Sequence, residues 1–335
     1  MIKLKIWKIN IKGVIVMEPK ILADKIKDNI QKVIIGKDDV IKIILTALIA
    51  DGHVLLEDVP GTGKTVLARS LAKSIDCDFK RVQFTPDLMP SDITGINYYN
   101  AKEGEFVLRK GPAFTNILLA DEINRATPRT QSSLLECMEE KQVSIDGTTY
   151  ILDKPFFVIA SENPVESQGT FPLPEAQLDR FIIKISMGHP TLDEGKQIFK
   201  RFIDDNPLET LESVCSKGDI IECREACKKI FISDEVQEYI LKIVQKTLDN
   251  DKIALGVSPR GALAMLRMSQ VYAAISGRSF VTPDDVKTLA PYVFAHRIII
   301  KNNLRMKGME NSQSIIEECV EDTDVPTENW NNKRD

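Results

Sequence analysis

No stretch of this 335-residue chain is an apolar run long enough to span a bilayer, which argues against a helical membrane protein. Paired cysteine spacing is missing too. The six cysteines (77, 137, 215, 223, 227 and 319) supply neither a zinc ligand set nor the framework of a secreted domain, although Cys223 and Cys227 would share a helix face. Reduced thiols in a cytosolic protein are the simpler expectation. Nor is there a positive balance. The formal charge is −5, so nothing global favours nucleic acid, although a local basic channel is compatible with that total. Met1 to Val16 carries Lys3, Lys5, Lys8 and Lys12 and no acid, like the basic end of a signal peptide. Those lysines break every apolar stretch and no small-residue cleavage site follows, so the segment reads as a strand or a translated upstream extension, with Met17 as the start. The absences together point to the cytoplasm.

What is present is an ordinary globular profile, 43% hydrophobic and 28% charged, in a chain long enough for two domains. Periodicity predicts helices over Ile21 to Ile30 and Asp39 to Ala50, with an apolar turn, Val33 to Gly36, between them. A short buried strand, His53 to Leu56, enters a glycine loop and is followed by a helix from Thr65 to Ser74. Further strands are expected at Phe79 to Phe84, Ile117 to Ala120, Phe156 to Ala160 and Phe181 to Ile185, with a helix at Arg129 to Glu140. Alternating strands and helices indicate an α/β fold with a parallel sheet. After Pro190 the strands are expected to stop. Helices are predicted over Glu194 to Ile203, Asp234 to Leu248, Pro259 to Ile275 and Pro283 to Phe294. Ser258-Pro259 and Thr282-Pro283 give two of them strong starts, and Gly277 is placed to end the third. From Met309 the tail is acidic, with a last helix at Ser314 to Val320 before a polar end expected to fray.

Chemistry concentrates in the loop Pro60-Gly61-Thr62-Gly63-Lys64-Thr65. Triphosphate binding needs backbone N–H groups turned inward, which glycines permit, and a helix N-terminus aimed at the anion. Lys64 would reach the β- and γ-phosphates of ATP, and Thr65 would give its hydroxyl to Mg²⁺. The strict pattern has glycine where Asp58 stands. The apolar run Ile117 to Ala120 then ends in Asp121-Glu122. Asp121 would orient the magnesium shell, and Glu122 would polarise the attacking water. Asn163, at the end of a later strand, would hold that water from the other side. Arg180, before the fifth strand, and Arg260, opening a later helix, would neutralise charge spreading over the γ-phosphate. Either arginine could equally serve a structural ion pair.

These pieces, in this order, resemble an AAA+ ATPase, and more closely the MoxR family. The resemblance rests on Leu56-Glu57-Asp58-Val59-Pro60-Gly61-Thr62-Gly63-Lys64-Thr65, the run Phe84 to Gly95, Ala120-Asp121-Glu122-Ile123-Asn124-Arg125-Ala126, the run Phe171 to Phe181 and Ser258-Pro259-Arg260. It covers the chain from about Met17 to the acidic tail. Asp58 resembles a variant common in that family. Ser161-Glu162-Asn163-Pro164 departs from the usual Thr-Gln-Asn-Pro but keeps the asparagine.

The resemblance implies a P-loop core with a five-stranded parallel sheet in the order 5-1-4-3-2 and an all-α C-terminal lid. The divisions expected are an N-terminal extension (1–16), the core (17–188), the lid (189–308) and the tail (309–335). It also implies that Asn163 is sensor 1, that Arg260 is sensor 2 acting in cis, and that Arg180 is an arginine finger acting on a neighbour's ATP. Ile34, Ile35 and Gly36 would pack on adenine, and Val66 completes the nucleotide-binding set. Pro86 to Phe106 resembles the helix-2 insert, and Val143 to Ile151, turning at Asp146-Gly147, the hairpin before sensor 1; in related machines both touch clients.

A homo-oligomer, specifically a hexameric ring, is thereby implied. It would remodel or mature a protein client beside a partner with a von Willebrand factor A domain. A chelatase-like metal-insertion subunit is the nearest relative within this class. A DNA motor or helicase loader shares the inserts, but only Lys141 and Lys154 flank the hairpin and the composition is acidic, which counts against nucleic acid. A non-hydrolysing nucleotide switch is opposed by Glu122, Asn163, Arg180 and Arg260.

Overall fold

The computed structural model describes residues 8–11, 14–164, 169–203, 206–301 and 311–326. They fall into two compact units, residues 1–226 and 227–335. The first opens with an antiparallel pair, β1 (Lys8–Ile11) and β2 (Val14–Met17), where the alternating pattern predicts a strand. Helices α1 (Pro19–Gln31) and α2 (Asp38–Ile49) come next, then β3 (Val54–Glu57), α3 (Lys64–Ser74) and β4 (Phe79–Gln83). A short helix α4 (Pro90–Thr94) leads into a hairpin, β5 (Gly95–Asn100) and β6 (Glu105–Lys110). After β7 (Ile117–Asp121) and α5 (Pro128–Glu140) stands a second hairpin, β8 (Gln142–Ile145) and β9 (Thr148–Ile151). Then come β10 (Phe157–Glu162), α6 (Glu175–Leu178), β11 (Ile183–Ile185), α7 (Leu192–Phe202) and α8 (Lys217–Cys227).

Five strands make one parallel sheet in the spatial order β11-β3-β10-β7-β4. In chain order this is the expected 5-1-4-3-2. The burial pattern explains the order. All of β7 and nearly all of β10 are buried, as central strands covered on both faces must be, whereas β4 exposes Lys80, Arg81 and Gln83 and takes an edge. On one face Leu55, Leu118 and Val158 pack against Leu134, Leu135 and Met138 of α5. The opposite pleat buries Val54, Leu56, Leu119 and Ile159. The second hairpin turns on Asp146 (φ 49°) and Gly147 (φ 81°), the two left-handed residues that its Asp-Gly pair predicts. The first insert runs beyond its expected end at Phe106, because the hairpin must return along β6 to Lys110.

The two compact units divide at 226/227, with α7 and α8 bonded within the first unit. Arg201 donates to the Gln31 carbonyl at 2.6 Å, and Lys73 to that of Leu208 at 2.8 Å. Arg224 of α8 donates to the Leu48 carbonyl at 2.9 Å and pairs with Asp51 at 2.6 Å. Cys223 and Cys227 are buried on α8 as core thiols, and no metal-capable group of side chains occurs among the described residues.

The second unit is helical: α9 (Asp234–Asp249), α10 (Pro259–Ile275), α11 (Pro283–Phe294) and α12 (Ser312–Glu321). Its starts are those read from the sequence. The Ser258 hydroxyl accepts from the Gly261 N–H at 3.3 Å, and Thr282 forms a capping box with Asp285. Gly277, at φ 83°, ends α10. One feature is additional, a short antiparallel ladder between β12 (Ile253–Leu255) and β13 (Ile299–Ile300). The expected polar end beyond residue 326 lies outside the described residues. No helix among the described residues is long and apolar enough to cross a membrane.

Candidate active site

Parallel strands end together, and a nucleotide site in such a sheet lies beyond their carboxyl ends. Here β10 is in register with β3 through Glu162 opposite Glu57, and with β7 through Ala160 opposite Ala120. That alignment brings the glycine loop, Asp121, Glu122 and Asn163 to one edge.

Gly61 (φ 89°) and Gly63 (φ 94°) hold the left-handed conformations that a side chain resists. Gly63 is also the N-cap of α3, with no side chain capping it, so the helix's first N–H groups are left to the loop. Lys64 is buried and its Nζ donates to the Asp58 carbonyl at 2.9 Å. Asp58 itself has a definite job. Its carboxylate accepts from Ser186 Oγ (2.7 Å) and from the N–H groups of Met187 (2.8 Å) and Gly188 (3.1 Å). The residue that departs from the strict glycine pattern therefore ties the phosphate loop to the chain leaving β11.

The two acids after β7 are held separately. Asp121 Oδ1 accepts from Ser161 Oγ at 2.5 Å, and Oδ2 accepts from Arg81 Nη2 at 2.7 Å. Ser161 Oγ in turn accepts from the Glu122 N–H at 2.9 Å, so one hydroxyl spaces both acids. Glu122 adopts a left-handed φ of 55°, which turns it out of the strand. Its Oε2 accepts from Gln83 Nε2 (2.7 Å) and Arg125 Nη1 (3.0 Å). Asn163 is buried at the end of β10. Beside it, burial pushes the Glu162 carboxyl above its ordinary value; Lys184 opposes the shift and Glu57 adds to it.

The linker Val33, Ile34 and Ile35 is buried, and Val33 packs with Val66, Leu208 and Leu211. Gly36 has a left-handed φ of 69°, which favours glycine, and the Glu194 side chain packs against its open side. Arg180 lies apart from the loop. Its Nε pairs with Glu139 Oε2 of α5 at 3.1 Å, in a cavity of about 260 Å³ also lined by Glu136 and Glu140. Arg260 stands at the second position of α10 in the second unit, exposed.

Sequence reasoning did not assign Ser161, Arg81, Gln83, Arg125, Leu208 or Leu211. Ser161 and Arg125 lie inside runs already singled out, but nothing local marks Arg81, whose partner Asp121 is 40 residues away.

A parallel sheet in this order, with a glycine loop, two strand-end acids and a helical second unit, defines an ATPase of the AAA+ class. The family model for the ATPase family associated with various cellular activities (AAA) matches residues 53–183, and that for the AAA lid domain matches residues 245–319. The uncharacterized protein YeaC of Bacillus subtilis is 48% identical over 92% of this chain and 96% of its own. The chaperone MoxR1 of Mycobacterium tuberculosis is 38% identical over 81% of this chain and 74% of its own. A crystal structure of a Cytophaga hutchinsonii protein assigned as an ATPase superposes with a TM-score of 0.86, at 38% identity, covering 92% of this chain and 96% of that one. The chain belongs to the MoxR family of AAA+ ATPases.

Proposed function

We propose that this ATPase works in the cytoplasm as a ring of identical chains, a hexamer, that uses ATP hydrolysis to remodel or mature a protein client. MoxR1, its M. tuberculosis relative, is named a chaperone. The observation that carries the client reading is the hairpin β5–β6. Tyr98, Tyr99 and Phe106 are exposed on it, with Tyr99 edge-on to Phe106 at 5.5 Å between ring centres. Solvent-facing aromatics on both sides of a ribbon suit an apolar polypeptide. A partner with a von Willebrand factor A domain belongs to the same reading.

Within the site, the N–H groups of the loop and Lys64 hold the phosphates, and the Val33–Val66 cluster offers an apolar wall to the base. Thr65 and Asp121 would hold Mg²⁺; a hydroxyl and a carboxylate are the hard oxygen donors that this cation accepts while keeping waters. When bound, it supplies charge neutralisation at the β- and γ-phosphates. Glu122 takes the proton of the attacking water, which Asn163 holds. Arg180, bonded to Glu139 and not to its own loop, serves a neighbour's γ-phosphate, and Arg260 acts in cis. The test is Glu122→Gln, which should keep ATP affinity and lose turnover; hydrolysis at the normal rate would end the assignment.

A further inference from the structure

The cavity beside Arg180 is lined along one stripe of α5, where Ser132, Leu135, Glu136, Glu139 and Glu140 recur at spacings that share a helix face. Leu134 and Met138, on the adjoining face, sit in the core beneath the sheet, so the stripe stands on a rigid element. The backbone of Arg180 is fixed as well. Its N–H donates to the Gln177 carbonyl at 3.2 Å, and Phe181 beside it is fully buried. The long side chain meets α5 through Nε, 3.1 Å from Glu139 Oε2. These side chains are 31% and 34% exposed, and an ion pair that open contributes little to folding. Glu136 and Glu140 make the surroundings acidic, so net charge does not draw a triphosphate to this cavity. What the pair can supply is direction. A guanidinium is a planar fork of N–H donors, and a carboxylate at Nε leaves the edge carrying Nη1 and Nη2 for a second partner. That edge can grip two phosphate oxygens at once.

We propose that Glu139 is a positioning residue for hydrolysis, a brace that holds Arg180 at Nε so that its Nη edge is oriented before a neighbouring chain brings its γ-phosphate. An unbraced arginine gives up its rotamer freedom at every turnover, and the brace removes that freedom before the nucleotide arrives. The acceptor oxygen on α5 does the orienting. The negative charge that comes with it weakens the pull of Arg180 on phosphate, so the benefit lies in geometry. The inference rests on the reading that Arg180 serves a neighbour's γ-phosphate.

The experiment measures ATP turnover by the full chain, at a concentration where wild-type turnover no longer rises with assembly. Glu139→Ala should lower kcat about tenfold, the scale of one arginine's rotamer freedom, with KM for ATP within about twofold of the wild type. Glu139→Gln, which keeps an acceptor oxygen at the same reach, should fall between the two, and Tm should move little in both. Glu139→Met gives the same comparison if the alanine variant does not fold. In an Arg180→Lys background, which lacks the fork, Glu139→Ala should slow turnover no further. A kcat for Glu139→Ala at or above the wild type, an equal loss in Glu139→Gln, or a further loss of the same size on Arg180→Lys each overturns the proposal. Arg180→Ala separates the two readings. If it abolishes turnover while Glu139→Ala is unimpaired, the brace alone fails; if it leaves turnover at the wild-type level, the reading of Arg180 fails first.

Discussion

Replacing Asp58 by glycine would restore the strict phosphate-loop pattern, and the structure predicts that this damages the protein. The carboxylate is buried and accepts from Ser186 Oγ, Met187 N and Gly188 N. Deleting it leaves two backbone N–H groups and a hydroxyl without their acceptor, while a glycine adds chain entropy to the unfolded state. Hydrogen bonds to a charged acceptor contribute roughly 1.5–3 kcal/mol each, and water that enters the gap recovers part, so a net loss of about 3 kcal/mol is expected. In a unit of this size that lowers Tm by about 6–12 °C. Scanning calorimetry of the full chain with and without nucleotide is the assay, the relevant transition being the one that nucleotide shifts. Asp58→Asn, which keeps the shape without the charge, should fall between the two. An Asp58→Gly protein as stable as the wild type, with unchanged ATP affinity, would refute the reasoning.

Other expectations concern titration and the linker. His53 is buried, accepts from the Val158 N–H at Nδ1 and donates to the Met138 carbonyl from Nε2, and burial lowers its pKa from 6.5 to about 4. The neutral ring is the folded form, so stability falls as pH drops below 6.5, by roughly 3 kcal/mol once pH passes the folded value. Lys141 and Arg224 reinforce that direction and Asp51 opposes it. Thermal unfolding between pH 7 and 4 checks this, and an equally steep slope in a His53→Phe variant would contradict it. Glu162 has a raised pKa, so its contribution is complete below the unfolded value and declines as pH rises through the folded one. Glu162→Gln should therefore raise Tm more at pH 8 than at pH 5, and the opposite order would count against the assignment. Gly36→Ala should lower ATP affinity severalfold because its left-handed φ of 69° strains any side chain in the linker, measured by nucleotide titration; wild-type affinity would show that the linker absorbs the strain.

Much of the architecture followed from local pattern because the physics there is local. The continuous apolar runs of β7 and β10 mark central strands, and Ser258-Pro259 and Thr282-Pro283 mark helix starts. What escaped was of two kinds. Elements with thin signals were passed over. The buried face of α8 is carried by Ile220, Cys223 and Cys227 behind a Lys-Gly start, and β12 and β13 are 3 and 2 residues long. Contacts made across the chain were also out of reach. Asp58 bonds residues 128 to 130 positions away, and no local rule anticipates that. The same holds for the contacts of α7 and α8, since Arg201 and Arg224 find their partners in α1 and α2 and the turn after α2.

The central claim is that two chains complete each hydrolytic site, one giving Glu122 and the next giving Arg180. Glu122→Gln and Arg180→Ala should each be nearly inactive alone. Mixed in equal amounts and allowed to exchange, they should regain turnover, because some interfaces pair an intact Glu122 with an intact Arg180; random assembly of a head-to-tail ring gives about a quarter of them. Recovery towards that level is the predicted result. No recovery on mixing, or wild-type turnover by Arg180→Ala alone, would contradict the account.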